Sequence, residues 1–196
     1  VVAAAVNRDE QGRKTVVTLR HGEFVKVRFD EPIEDDPRNA FGVDFIVFGN
    51  AFFPADGIID PDTDMGAVSI IGGAFSEPVA VAVSASGIGD PFSNPEEWHV
   101  FDAGPYADGL FPTNAFLWDE CAGEWAAATD YAQPVDPALG NADFVGRSAA
   151  EAIGMYGISG GGTGFDLALS GFASIQYVYL TSTGGEVDAL ADVAPA

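Results

Sequence analysis

Asp60, Asp62 and Asp64 alternate along one short acidic turn that runs into Gly66. Carboxylates at every second position converge on one hard cation when the backbone curls around it. The chemistry this spacing suggests is calcium binding. It departs from the helix–loop–helix calcium loop, because the glycine falls one place late and the twelfth position is Ile71 instead of Glu. Neither flank carries a helical pattern. The turn therefore reads either as a calcium loop of another kind or as an acidic surface turn, which Asp and Pro favour by themselves. A second candidate centre comes from distant segments. Asp44, Asn50, Glu77, Asp166 and Asp188 each stand at the edge of a short apolar run. Acids beside buried Phe must be paired or liganded, and Lys and Arg are too scarce to pair them all.

Charge points the same way. The chain has 196 residues, thirty acidic against eight basic, for a formal net charge of −22. Much of the acid is clustered: Glu34-Asp35-Asp36, the Asp60–Asp64 turn, and Asp188 with Asp192. Like charges this close repel unless something positive lies between them, and Ca2+ is the expected cofactor. With so few cations and no basic run, nucleic acid and anionic membrane surfaces are poor partners. No apolar run reaches the length of a membrane span. The lone Cys121 permits no internal disulfide. The opening Val1-Val2-Ala3-Ala4-Ala5-Val6 reads as a trimmed or mature end, or as a first strand.

Catalytic patterns are weak. His21 sits in a turn and His99 beside Trp98, neither next to a recognisable nucleophile motif. Cys121 lacks the closely following His and Met of a blue-copper site. Thirty acids always offer some pair for glycoside hydrolysis, so no particular pair is selected. The run Ser159-Gly160-Gly161-Gly162-Thr163-Gly164 has no following Lys and leads into a strand, so it reads as a flexible turn rather than a phosphate loop. Trp98, Trp118 and Trp125, with Tyr106 and Phe111, concentrate in or beside one irregular region. They either stack on a ligand such as a sugar ring or fasten that region to a sheet.

The elements that must position these residues are mostly strands, expected at 14–19, 23–29, 44–48, 68–71, 79–84, 98–101, 165–169, 175–181 and 187–193. Across 23–29, Val25, Val27 and Phe29 face one way and Phe24, Lys26 and Arg28 the other. Arg20-His21-Gly22 would close a hairpin between the first two strands. Ile175, Tyr177 and Tyr179 would share a face. Ser148 with Glu151 forms a capping box for one short helix ending near Met155, and Ala126-Ala127-Ala128 adds at most a turn. Residues 102–164 read as a long structured insertion lying over one sheet. The expectation is a single domain over 1–196, all-β, an antiparallel β-sandwich of jelly-roll-like form.

Four segments carry a family resemblance. They are Asp44-Phe45-Ile46-Val47-Phe48-Gly49-Asn50-Ala51-Phe52, then Ser76-Glu77-Pro78 leading into a strand, then Gly162-Thr163-Gly164-Phe165-Asp166-Leu167, and finally Val187-Asp188-Ala189. In this order they resemble secreted bacterial "cell surface protein" modules of β-sandwich type, which recur in planctomycetes and in proteins with surface-sorting tails. The resemblance spans roughly residues 15–195. It implies an exported, non-catalytic, jelly-roll-like module with a bound metal. Many such relatives carry Glu where this chain has Gly49; if that Glu is a ligand, the site here is reduced or shifted to Asn50. The leading expectation is thus an extracellular, calcium-stabilised surface or assembly protein. Its partners would be other cell-surface subunits or extracellular polysaccharide. The alternatives are a carbohydrate-binding module that uses Trp98, Trp118 or Trp125 and, below it, a polysaccharide-active enzyme.

Overall fold

The structure, a computed structural model, describes residues 16–60, 62–182, 184–193 and 195. The first six residues, and positions 14 and 15 of the first expected strand, lie outside the described residues.

The Phe45–Phe48 run is apolar at every position, which suits a strand covered on both faces. It forms β3 (Phe45–Phe48), buried throughout, at the centre of a three-stranded antiparallel sheet. Its neighbours are β8 (Thr163–Phe165) and β11 (Ala189–Asp192). The facing sheet has four antiparallel strands in the order β2 (Phe24–Glu34), β9 (Ser174–Thr181), β4 (Ala80–Ser84) and β5 (His99–Val100). Phe45, Val47 and Phe165 from the first sheet meet Val81, Val83, Val178 and Leu180 from the second in one core. Phe45 and Phe165 stack with ring centroids 4.8 Å apart. The result is the expected all-β sandwich.

Period-two alternation holds along the start of β2, where Val25 and Phe29 pack on the core while Phe24, Lys26 and Arg28 are exposed. It fails at Ile175. That residue joins the core instead of sharing the outer face with Tyr177 and Tyr179, beside the point where the β2–β9 register shifts between Arg28 and Ile33. The turn at His21 and Gly22 is present, but its arms do not form a hairpin. β1 (Val17–Thr18) pairs with β10 (Glu186–Val187), and β2 pairs with β9. Residues 68–71 supply isolated bridges from Ser69 and Ile70 rather than a strand, and 165–169 is a strand end followed by a 3-10 turn over Leu167–Leu169.

The 102–164 segment holds more order than its sequence suggests. It contains an antiparallel hairpin of β6 (Phe116–Asp119) and β7 (Glu124–Ala128), so the alanine triplet is strand. It also contains α1 (Asn141–Phe144) and α2 (Ala149–Met155). Helix α2 starts where its capping box predicts, with Ser148 Oγ accepting from the Glu151 amide and the Glu151 carboxylate accepting from the Ser148 amide. Val135, Phe144, Ala152 and Tyr156 of this segment pack with Phe53 and Ile70 of the body in a second apolar cluster. The glycine run is a packed seam rather than a flexible turn. At Gly161 (φ +85°) an added Cβ would lie 2.3 Å from the Pro112 carbonyl oxygen.

Candidate metal centre

Strand register decides which acids meet. β3 and β8 run antiparallel with Phe45 opposite Phe165, so the residue before β3, Asp44, and the residue after β8, Asp166, fall side by side at one end of the sheet. Asp35, just past β2, reaches the same end. One carboxylate oxygen from each of Asp35, Asp44 and Asp166 lies within 4.8 Å of the others. Among the described residues no other trio of potential metal ligands gathers this closely.

Asp44 is fully buried. Its Oδ1 accepts from the Asp36 amide and from Asn39 Nδ2, both at 3.0 Å, and its Oδ2 accepts from the Leu167 amide at 2.8 Å. Burial pushes its carboxyl above the ordinary range; these hydrogen bonds pull against the shift, and the charge of Asp35 adds to it. Asp192, at the end of β11, is raised by burial and by Asp44. Arg38, in the same loop, is taken up by Asp36. Its side-chain hydrogen bonds hold the Asp36 carboxyl down at about 2. Asp166 Oδ1 caps the following 3-10 turn through the Ala168 amide, which leaves Oδ2 beside Gly42.

Asn39 supplies an independent sign. It is 6 % exposed, its Nδ2 is spent on Asp44, and its Oδ1 is buried with no hydrogen-bond partner. Such an acceptor costs about 1–3 kcal/mol when left unsatisfied. The loop that presents it winds through two consecutive left-handed residues, Phe41 at φ 59° and Gly42 at φ 71°. A non-glycine residue held there is strained, which is common at ligand sites. The donor set is oxygen only and mostly anionic, the chemistry of a hard divalent cation and not of zinc or copper. Two oxygens on opposite sides of a calcium ion at about 2.4 Å are about 4.8 Å apart, so the spread of the trio fits one ion.

The other expected ligands go elsewhere. Asp60 Oδ1 accepts from the Asp62 amide and Thr63 Oγ1, and Asp64 Oδ1 accepts from the Gly66 amide. The Asp60 and Asp64 carboxylates bend back onto their own turn, and Asp60, Asp62 and Asp64 do not gather within 4.8 Å of one another. Asn50 and Glu77 belong to the opposite end of β3, since six residues of extended chain from Asp44 span about 20 Å. There they surround Asp108, which the sequence did not single out. Asp108 is buried; its Oδ1 accepts from the Ala51 amide at 2.7 Å and the Glu77 and Asn50 amides also support it, while its Oδ2, like Asn39 Oδ1, is buried with no hydrogen-bond partner. Burial lifts its carboxyl to about 6, and the Glu77 charge adds to the rise. It fills the space that a side chain at residue 49 would need, because a Cβ on Gly49 would lie 2.3 Å from Asp108 Oδ1. Asp188, raised by burial, donates its amide to the Phe48 carbonyl, also away from the trio.

Of the two roles open to the tryptophans, their packing matches the fastening one. Trp98 is buried, with Nε1 donating to the Ile88 carbonyl and its ring edge-on to Tyr179. Trp118 and Trp125 pack edge to face at 5.2 Å and lie over Met65, Val68 and Ala149. They fasten the hairpin to the body. No protein-family profile, curated protein or solved structure matches the chain, so its function must be read from its own geometry.

Proposed function

We propose that this chain is a calcium-stabilised, non-catalytic β-sandwich module that works outside the cytoplasm as part of a surface or assembly protein. Asp35, Asp44, Asp166 and the Asn39 amide oxygen hold the ion. The observation that carries the reading is Asp44: a carboxylate with no exposed surface, two further carboxylates within 4.8 Å, no cation among its hydrogen-bond partners, and an amide oxygen beside it lacking a donor. A cation there would neutralise the carboxylates and satisfy Asn39. It would tie the loop after β2 to the ends of β3 and β8, and so join the two sheets at one end. The dense acidic surface supports an external, calcium-rich setting, where such a site stays loaded. Among the perturbed acids, Asp108 has the pKa of a general acid–base group, but it is enclosed by backbone amides and Gly49, where no substrate reaches it.

Calorimetric titration of chelator-treated protein with calcium tests the reading. One tight site is expected, lost in Asp166→Asn and retained in Asp60→Asn. A protein that binds no calcium, or binds it equally after Asp166→Asn, overturns the assignment.

A further inference from the structure

The outer face of the four-stranded sheet carries a groove of about 840 Å³. Strand pairing builds its floor: Phe24, Thr181 and Ala80 lie in one cross-strand row, and Tyr179 with Ala82 in the next. Alanine in β4 leaves depth beside the rings. The loop after β4 folds back over this face and brings the Phe92 ring edge-on to Tyr179, while Phe24 stacks on Tyr179 at 4.8 Å. Phe92 is 77 % exposed, Phe24 56 % and Tyr106 41 %. Three large rings thus open onto solvent around one groove, Phe24 stacked on Tyr179, Phe92 edge-on to it and Tyr106 anchored by its hydroxyl. Tyr106 and Pro78 also border a second depression of about 420 Å³, which continues past Leu110 and Pro137. The two depressions together suit an extended ligand.

The polar rim narrows the chemistry. Ser93 Oγ donates to Asp90, Thr181 Oγ1 to the Glu23 carbonyl, Ser182 Oγ to the Pro78 carbonyl and Tyr106 Oη to the Asp102 carbonyl. Each of these hydroxyl protons is spent on the protein; Ser182 Oγ also accepts from the Gly184 and Gly185 amides, so Ser93, Thr181 and Tyr106 are the hydroxyls that offer lone pairs to the groove, with the His21 side chain beside them. Its ligand must bring its own O–H or N–H donors. Charge narrows it further. Asp90 already accepts from the Phe92 and Ser93 amides and the Ser93 hydroxyl, and Lys26, beyond the groove edge, is committed to the Gly87 and Gly89 carbonyls. An anionic polymer would find no free Lys or Arg among the described lining residues and would face a net charge of −22. A proline-rich peptide would suit the rings but lacks the donors.

The geometry points to an unbranched neutral polysaccharide as the ligand of this groove, its sugar faces on Phe24, Phe92 and Tyr106 and its hydroxyls donating to the acceptor rim. This goes beyond the ion site and is independent of it, since the groove lies at the Phe24 end of β2 and Asp35 follows the opposite end. The test is calorimetric titration and amide-resonance mapping of the intact chain, in calcium, with cellohexaose, mannohexaose, xylohexaose and laminarihexaose. At least one hexaose should bind, with shifts centred on residues 21–24, 90–93 and 106. Phe92→Ala should weaken it about tenfold, as expected for loss of one stacking ring. Tyr106→Phe, which keeps the ring, should weaken it less, and the distant Phe116→Ala should leave it unchanged. Silence with all four sugars, unchanged affinity in Phe92→Ala, or the same footprint produced by an oligoalginate or a polyproline peptide would overturn the assignment.

Discussion

Asp166→Asn should stabilise the protein without calcium and destabilise it, relative to wild type, with calcium. The substitution removes one charge but keeps the oxygen that caps the Ala168 amide, so the 3-10 turn at Leu167–Leu169 stays intact. Its carboxylate lies within 4.8 Å of both Asp35 and Asp44. A pair at that separation repels by about 3.5 kcal/mol at an effective dielectric of 20 and by about 0.9 kcal/mol in bulk water. Asp166 is half-buried and Asp35 exposed, so solvent screening brings the relief toward the lower figure, about 1–2 kcal/mol over the two pairs. For a chain of this size that raises Tm by roughly 2–8 °C in chelator. Wild type, with calcium at a hundred times Kd, gains about 2.7 kcal/mol, or roughly 5–11 °C; the variant gains little. Melting curves by differential scanning calorimetry should therefore change order between chelator and calcium, and the chelator gap should shrink in high salt. If Asp166→Asn melts below wild type in both conditions, the carboxylate acts as an ordinary structural group and the repulsion argument fails.

Other outcomes follow from individual contacts. Gly49→Ala should cost about 3 kcal/mol in chemical denaturation, because the new methyl overlaps Asp108 Cβ as well as its carboxylate and neither can retreat. Gly154→Ala, in helix α2 with nothing within 4 Å of the added methyl, should stabilise by up to about 1 kcal/mol; a loss there would mean the helix is not as described. Without calcium, Tm should fall as pH rises from about 4 to 8. Asp44, Asp108, Asp188 and Asp192 all hold protons more tightly folded than unfolded, Asp108 up to about 6, so their contribution is fully present below 3.8 and is lost as pH climbs through the folded values. Calcium should flatten that slope, and a chelated protein whose Tm rises over this interval would contradict it. Asp36 and Asp90, lowered instead, set the opposite trend below about pH 4.

The sandwich was legible because its strands obey local rules. The four apolar residues of β3 require cover on both faces, the early part of β2 alternates, and Ser148 with Glu151 marks a helix start without tertiary help. The hairpin β6–β7 was not legible, because Ala126 to Ala128 have low strand propensity and are held by pairing with Phe116 and by the Trp118–Trp125 contact. The same hairpin left both roles open for Trp118 and Trp125, since what covers them lies some fifty residues back, at Met65 and Val68.

The candidate site divides along the same line. That Asp44 and Asp166 need a partner follows from acids flanking buried Phe; that they share one follows only from the pairing of Phe45 with Phe165, a matter of register. Asn50 stands on the same run as Asp44 and looks equally eligible, yet a strand delivers its two ends to opposite edges of a sheet. Asp35 and Asn39 enter because the loop after β2 curls back over Asp44, a path set by left-handed Phe41 and Gly42 and by the hydrogen bonds that Asp44 itself accepts from Asp36 and Asn39. Asp44 is therefore both the most confined group of the site and the template for the loop that completes it. An ion bound beside it would stabilise that loop by acting on the residue that already organises it.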